Sequence, residues 1–193
     1  MNESLISMHF RPLVLQDLPL LHTIDANFCS DRFLDVRKSS EGFNVTWQLI
    51  ERPLDPPFIS TDYNIPAYEL EELARRLQKN DGLYLAGEDD GRLIAFLDMP
   101  RERWRNTALI SNLYVEQKFR RRGIGAELIN RAAAWAKEQN IRAIWLETQS
   151  NNFPACQFYR SCGFELCGID DHFYSNEDIT IKEVALFWWL EIK

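Results

Sequence analysis

Cysteine is sparse: Cys29, Cys156, Cys162 and Cys167 are the four in 193 residues, and no two stand in a CxxC spacing. The paired thiols of structural zinc sites and redox motifs are missing, so no metal centre is expected. Long apolar runs are missing too. No stretch approaches the ~18 residues that would cross a bilayer, and the opening residues carry Glu3 without an apolar run behind a basic start, which argues against a signal peptide. The expectation is a cytoplasmic protein with reduced thiols and no membrane partner. Positive charge is in deficit, with 22 Lys and Arg against 29 Asp and Glu and a net charge of -7. That is the wrong sign for a partner held through its phosphate backbone, which excludes general nucleic-acid binding. An acidic surface attracts a cationic amine, or simply keeps the chain soluble. Glycine and proline number only eight each, and no linker rich in them divides the chain. With 46% hydrophobic residues and no internal repeat, one domain over residues 1–193 is expected.

Periodicity supplies the elements. Met8–Val14 has strand character, and Leu18, Leu21 and Ile24 fall at helical spacing within Asp17–Ala26. Phe43–Ile50 alternates as a strand would, and the proline-dense Arg52–Tyr63 reads as a surface loop. Leu70, Leu73 and Leu77 make Tyr68–Lys79 an amphipathic helix. Leu83–Ala86 and Leu93–Asp98, bridged at Asp90-Gly91, and then Ala108–Val115 form an antiparallel meander. Gly125–Gln139 is a helix with Leu128, Ile129, Ala132, Trp135 and Ala136 in one stripe. Ala143–Glu147 is a buried strand, Pro154–Ser161 a short helix and Glu183–Leu190 a last strand. The order is a helical N-terminal part, three antiparallel strands, then strand–helix–strand–helix–strand, which is one mixed α/β sheet.

The segment from Leu113 to Ala126 runs from a strand through a basic, glycine-bearing turn into the clearest helix. A helix N-terminus offers free backbone N–H groups and a favourable dipole to an anion. Gly123 and Gly125 let phosphate oxygens approach the main chain, and Arg120, Arg121 and Arg122 add charge. A pyrophosphate fits this chemistry. A Walker loop finds no match, and the dinucleotide fingerprint lacks its third glycine, where Leu128 stands. The R/Q-x-x-G-x-G/A turn matches Arg120-Arg-Arg-Gly-Ile-Gly125 at every fixed position; an arginine-rich solvated loop is the plainer alternative. Downstream, Asn151-Asn-Phe-Pro-Ala-Cys-Gln-Phe-Tyr-Arg-Ser-Cys-Gly-Phe164 puts an asparagine after a strand and a tyrosine in a short helix. By itself that pattern suits core packing, and Cys156 and Cys162 lack the basic partner a nucleophilic thiol needs.

Together, R-x-x-G-x-G and N-x-x-A-x-x-F-Y-x-x-x-G-F in this order resemble the GNAT superfamily of acetyl-CoA-dependent N-acetyltransferases. The resemblance spans Leu83 to Leu190 and extends only loosely to the first eighty residues. Within it, Leu146-Glu-Thr-Gln149, Ala155-Cys-Gln-Phe-Tyr159 and Glu183-Val-Ala-Leu-Phe-Trp-Trp189 are similar to streptothricin acetyltransferases. The resemblance implies a mostly antiparallel sheet with a central, splayed parallel pair and helices on both faces. It implies acetyl-CoA as cosubstrate, its pantetheine arm paired with the strand Leu113-Tyr114-Val115 and contacted by Asn152 and Ala155. The pyrophosphate would lie on the amides of Arg121, Arg122, Gly123, Ile124, Gly125 and Ala126. Tyr159 matches the general acid that protonates the departing thiolate, a role open to a phenol at neutral pH.

The acceptor amine must lose a proton before it attacks. Streptothricin acetyltransferases usually carry an acidic pair where this chain has Ser111-Asn112, so Glu147 and Asp98 are the substitute bases, a water chain to solvent is an equal alternative, and a surface or ion-pair role is the plainer reading of each carboxylate. The implied acceptor is a small cationic amine such as a streptothricin-like antibiotic, with Asp98, Glu147 and Asp170-Asp171 as candidate acidic contacts. Other small amines, a protein amino group, or an acyl-CoA-binding regulatory module without turnover stay open, as does a homodimer.

Overall fold

The computed structural model describes residues 8–61 and 65–193. In chain order the elements are β1 (Met8–Pro12), a 3₁₀ segment (Leu15–Thr23), β2 (Cys29–Glu41), β3 (Asn44–Ile59), α1 (Ala67–Lys79), β4 (Gly82–Asp89), β5 (Arg92–Glu102), β6 (Thr107–Leu109) and β7 (Asn112–Val115). A 3₁₀ turn (Gln117–Phe119), α2 (Ile124–Glu138), β8 (Ala143–Gln149), α3 (Phe153–Ser161), β9 (Glu165–Asp170), α4 (Asp178–Ile181) and β10 (Ala185–Glu191) follow. The result is the expected mixed α/β fold with a mostly antiparallel sheet and a parallel pair, β6 with β8. The chain clusters into two compact units. One holds its described residues through Asn27, Thr61–Ile144 and Ile192–Lys193; the other holds Phe28–Ser60 and Trp145–Glu191. The residues before Met8, on which the signal-peptide expectation rests, and residues 62 and 63 of the expected loop lie outside the described residues.

In the first unit β4 and β5 form the expected hairpin, turning at Asp90 and Gly91, both with positive φ (49° and 73°) as a tight two-residue turn requires. β1 pairs antiparallel with β4 on the other side. Tyr84, Ala86, Leu93 and Phe96 of this hairpin bury against Leu13, Leu21, Ile24, Ile65 and Leu73, with Leu70 and Leu77 packed alongside. The leucine spacing of α1 therefore marks the face that meets the sheet. The expected helix over Asp17–Ala26 is instead a 3₁₀ segment. Pro19 inside it has no N–H to donate, and its ends close on three-residue bonds, Asp17 N to Val14 O and Ile24 N to Leu21 O. The expected strand Ala108–Val115 is also broken. β5 pairs first with β6 (Arg101↔Ala108) and then with β7 (Asp98↔Asn112), and the register slips by one residue between them. This is a β-bulge at Ile110-Ser111, where Ser111 N donates to Asp98 O at 3.0 Å. α2 buries Leu128, Ile129, Ala132 and Ala136 as its stripe predicts, and Arg142 N, at the start of β8, donates to Asn106 O at 3.0 Å.

The second unit holds the largest departure from the sequence reading. The N-terminal part is not mainly helical: β2 and β3, of 13 and 16 residues, form a long antiparallel ribbon turning at Gly42-Phe43. The strand read at Phe43–Ile50 continues through Ile59, across the stretch expected to be a loop. Pro56 and Pro57 fit because the register breaks there: Pro53 faces Arg32 and Phe58 faces Ser30, so residues 54–57 bulge out of the ladder and a missing N–H costs it nothing. β2 buries only Ser30, Phe33 and Val36, against α3 and α4. β8, β10 and β9 lie side by side in that order, β10 antiparallel to β9. β9 shows no fully buried position, so it lacks the apolar alternation that would have marked it as a strand.

Candidate active site

The turn before α2 has the form its motif suggests. Arg121 and Gly123 adopt positive φ (63° and 84°), and no side chain caps the helix. The first bond of α2 runs from Glu127 N to Gly123 O at 2.9 Å, so the N–H groups of Ile124, Gly125 and Ala126 have no acceptor within the helix. A Cβ added at Gly123 meets nothing within 4 Å, so the space on that side of the turn is open. Arg121 and Arg122 are exposed there, and Lys118 and Arg122 lie over the Phe119 ring at 5.2 and 5.4 Å. An anion with two phosphates fits this donor set.

Arg120 behaves differently. Expected to add charge for the anion, its guanidinium instead turns back on the main chain. It donates to Val115 O (2.9 Å), Asn27 O (2.8 Å) and Ala26 O (2.6 Å). The strand before the turn is β7, where Leu113, Tyr114 and Val115 face Leu97, Phe96 and Ala95 of β5. Tyr114 packs its ring 4.9 Å from that of Phe96. Among the described residues β5 is the one strand partner of β7, and Val115 O is taken by the Arg120 guanidinium.

Asp98, a candidate base, is fully buried. Its Oδ2 accepts from Arg76 at 2.7 Å and from Asn112 Nδ2 at 3.2 Å, while Oδ1 has no partner among the described residues. Burial pushes its carboxyl up, against the pull of Arg76. A carboxylate enclosed by its own counter-ion serves the structure before any substrate. A groove of about 500 Å³ in this unit, lined among others by Leu13, Val14, Leu77, Tyr84 and Trp135, includes none of the residues marked by the motifs.

In the second unit Asn152 is the buried N-cap of α3, its Oδ1 accepting from Ala155 N at 3.3 Å, so this asparagine shapes the helix. One face of α3 buries Phe153, Cys156 and Tyr159. The Tyr159 ring lies 5.1 Å from Phe158 and 5.6 Å from Phe164. Burial pushes the Cys156 thiol up to about 11, beside Thr148 Oγ1 at 3.5 Å, which removes it as a nucleophile. Glu147 on β8 is half-buried and accepts a hydrogen bond from Tyr174 Oη. Burial raises its carboxyl, the tyrosine opposes that, and Glu183 raises it further. Of the Asp170-Asp171 pair, Asp171 is already met by Lys38 Nζ at 3.0 Å and His172 Nδ1 at 3.0 Å, so its charge is neutralised within the chain. Tyr174 is the residue the sequence reading missed. Its one local sign is Ser175-Asn-Glu-Asp178, a capping pattern that fixes the loop carrying it.

The acetyltransferase (GNAT) family model matches residues 47–164, and the chain belongs to that family. It is an acetyl-CoA-dependent N-acetyltransferase, close to the streptothricin acetyltransferases. The streptothricin acetyltransferase of Escherichia coli is 29% identical over 86% of this chain and 88% of its own length. That of Streptomyces lavendulae is 28% identical over 86% of each. Among solved structures, a nourseothricin acetyltransferase superposes with a TM-score of 0.78 at 25% identity, covering 97% of this chain and 99% of its own. A Bacillus anthracis str. Ames chain assigned as a streptothricin acetyltransferase, in complex with acetyl coenzyme A, gives 0.74 at 29% identity with the same coverage. Among the described residues no helix is long and apolar enough to cross a membrane.

Proposed function

We propose that this enzyme transfers the acetyl group of acetyl-CoA to a primary amine of a small cationic acceptor of the streptothricin class, so that acetylation confers resistance. The observation that carries this reading is the similarity to two enzymes named for that acceptor along 86% of the chain. The net charge of -7 agrees with a cationic substrate. Residues 1–193 act as one catalytic domain in the cytoplasm.

Acetyl-CoA supplies a thioester carbonyl open to attack by an uncharged amine. The amides of Arg121 through Ala126, with the charges of Arg121 and Arg122, hold its pyrophosphate, and Arg120 sets the shape of that turn. Leu113, Tyr114 and Val115 of β7 pair with the pantetheine, with Asn152 and Ala155 contacting it. Glu147 receives the proton that the acceptor ammonium must lose. As the N–C bond forms and the C–S bond breaks, Tyr159 gives its phenolic proton to the sulfur and recovers it from solvent.

A screen of CoA release over streptothricin, aminoglycosides, polyamines and peptides tests the acceptor class. Preference for a neutral, anionic or peptide substrate would overturn it. Tyr159→Phe is expected to lower turnover by roughly 10²–10⁴ with little change in acetyl-CoA affinity. Wild-type turnover in that variant would make Tyr159 a packing residue.

A further inference from the structure

β8 alternates cleanly: Ile144, Leu146 and Thr148 are buried, while Trp145, Glu147 and Gln149 share a half-exposed face. Rings gather on that face. Trp145 lies 6.2 Å from Phe187 of β10, Phe187 meets Phe173 edge-on at 5.7 Å, and Phe173 meets Tyr174 at 5.0 Å. Tyr174 closes this series on Glu147 by donating its hydroxyl to Oε1. Tyr174 is 37% exposed and Phe173 is 51% exposed, a large aromatic area to leave in water.

The loop carrying these rings is held from beneath. Asp178 at the start of α4 is fully buried and accepts from Tyr174 N at 3.0 Å, from Ser175 N at 2.7 Å and from Ser175 Oγ at 2.7 Å. The backbone of Tyr174 is thus fixed by a carboxylate, and its hydroxyl is brought to another. A carboxylate bordered by aromatic rings is the arrangement that recognises an alkylammonium, through charge on one side and ring quadrupoles on the other.

We propose that Tyr174 is a positioning residue for acetyl transfer: it holds one oxygen of Glu147 and leaves the second for the ammonium of the acceptor, with the Trp145, Phe173 and Phe187 rings as the wall of that cation subsite. This rests on the reading of Glu147 as the group that receives the acceptor's proton. A hydrogen bond to a carboxylate favours its charged form, so Tyr174 keeps Glu147 ionised at a lower pH than burial alone would allow. The other group acting on this pair is Glu183, before β10, which raises Glu147 and is itself raised by burial and by Asp178; Glu147 in turn raises the Cys156 thiol of α3.

The test compares wild type, Tyr174→Phe and Glu147→Gln. In protein labelled with ¹³C-carboxyl glutamate, the Glu147 resonance is identified by its loss in Glu147→Gln. Its titration midpoint should move to higher pH in Tyr174→Phe, and an unmoved midpoint overturns the proposal. With streptothricin as acceptor at saturating acetyl-CoA, the acidic limb of kcat/KM should shift the same way. The variant is then several-fold impaired at low pH and nearly normal at high pH, with KM for acetyl-CoA unchanged. A loss uniform across pH would make Tyr174 merely structural, and full activity in Glu147→Gln would also refute the role. Site-specific 3-fluorotyrosine at position 174 keeps the shape but is a stronger donor, and it should move both readouts to lower pH. If wild type acetylates no amine, the proposed function fails, whereas the titration still decides the coupling of Tyr174 to Glu147.

Discussion

Gly123 allows the anion site to be tested apart from the fold. Its φ of 84° lies in the left-handed region, so any L side chain there costs about 1–2 kcal/mol. No atom within 4 Å obstructs a Cβ, and Gly123→Ala should therefore fold with a Tm lower by only a few degrees, about 2–4 °C per kcal/mol at this size. Gly123→Asp carries the same backbone cost and adds a carboxylate next to the unpaired amides of α2. At about 5 Å, with an effective dielectric near 20, two unit negative charges repel by about 3 kcal/mol. Kd for acetyl-CoA should then be at least ~100-fold weaker in the aspartate variant than in the alanine variant. Calorimetric titration of both proteins at two salt concentrations measures it, and the gap should narrow as salt screens the repulsion. Equal affinities in the two variants would mean that the phosphates lie elsewhere.

Three further outcomes follow from the geometry. Arg120→Ala deprives the carbonyls of Ala26, Asn27 and Val115 of their donor and should cost about 2–4 kcal/mol in urea unfolding, with Lys a poor substitute because one ammonium cannot span three acceptors. Asp98→Ala strands Arg76 and should cost about 3–5 kcal/mol, while the double replacement Arg76→Met with Asp98→Leu should recover much of that; equal losses would contradict a buried ion pair. Hydrogen bonds from Arg11 hold the Asp17 carboxyl below its ordinary 3.8. Since the folded value is the lower one, its stabilisation is present above the unfolded value and lost as pH falls through the folded value. The Tm deficit of Asp17→Asn at pH 7 should therefore shrink on acidification below about pH 4, and a constant deficit would rule this out.

What could be read from the sequence follows where each residue finds its partner. The stripe of α2, the Asp90-Gly91 hairpin and the Gly123 turn depend on neighbours a few residues away, and each formed as its pattern implies. Of the β2–β3 ribbon only the alternation of Phe43–Ile50 was legible; β2 and the proline-dense end of β3 left no such trace, because they are largely exposed and show no regular buried side. Arg120 carries the motif, but its acceptors at Ala26 and Asn27 lie more than ninety residues away along the chain. Tyr174 and Glu147 are separated by 27 residues, and the loop that carries Tyr174 is tied down by Asp178, which follows it. The bulge at Ile110-Ser111 was equally hidden, since Ala108 to Val115 has the composition of one unbroken strand.

That bulge makes chain length, rather than any side chain, the determinant of a local shape. The register slip is a single residue, so deleting Ser111 would let β6 and β7 join as one straight strand while Ala108 and Asn112 each keep their present partner on β5. Every paired residue would survive the cut, and only the bend that parts β7 from the line of β6 would vanish. A substitution cannot achieve this, because any residue type fills the extra place. A lineage could thus lose or gain this bend in one indel, and a library of point variants would never sample that route.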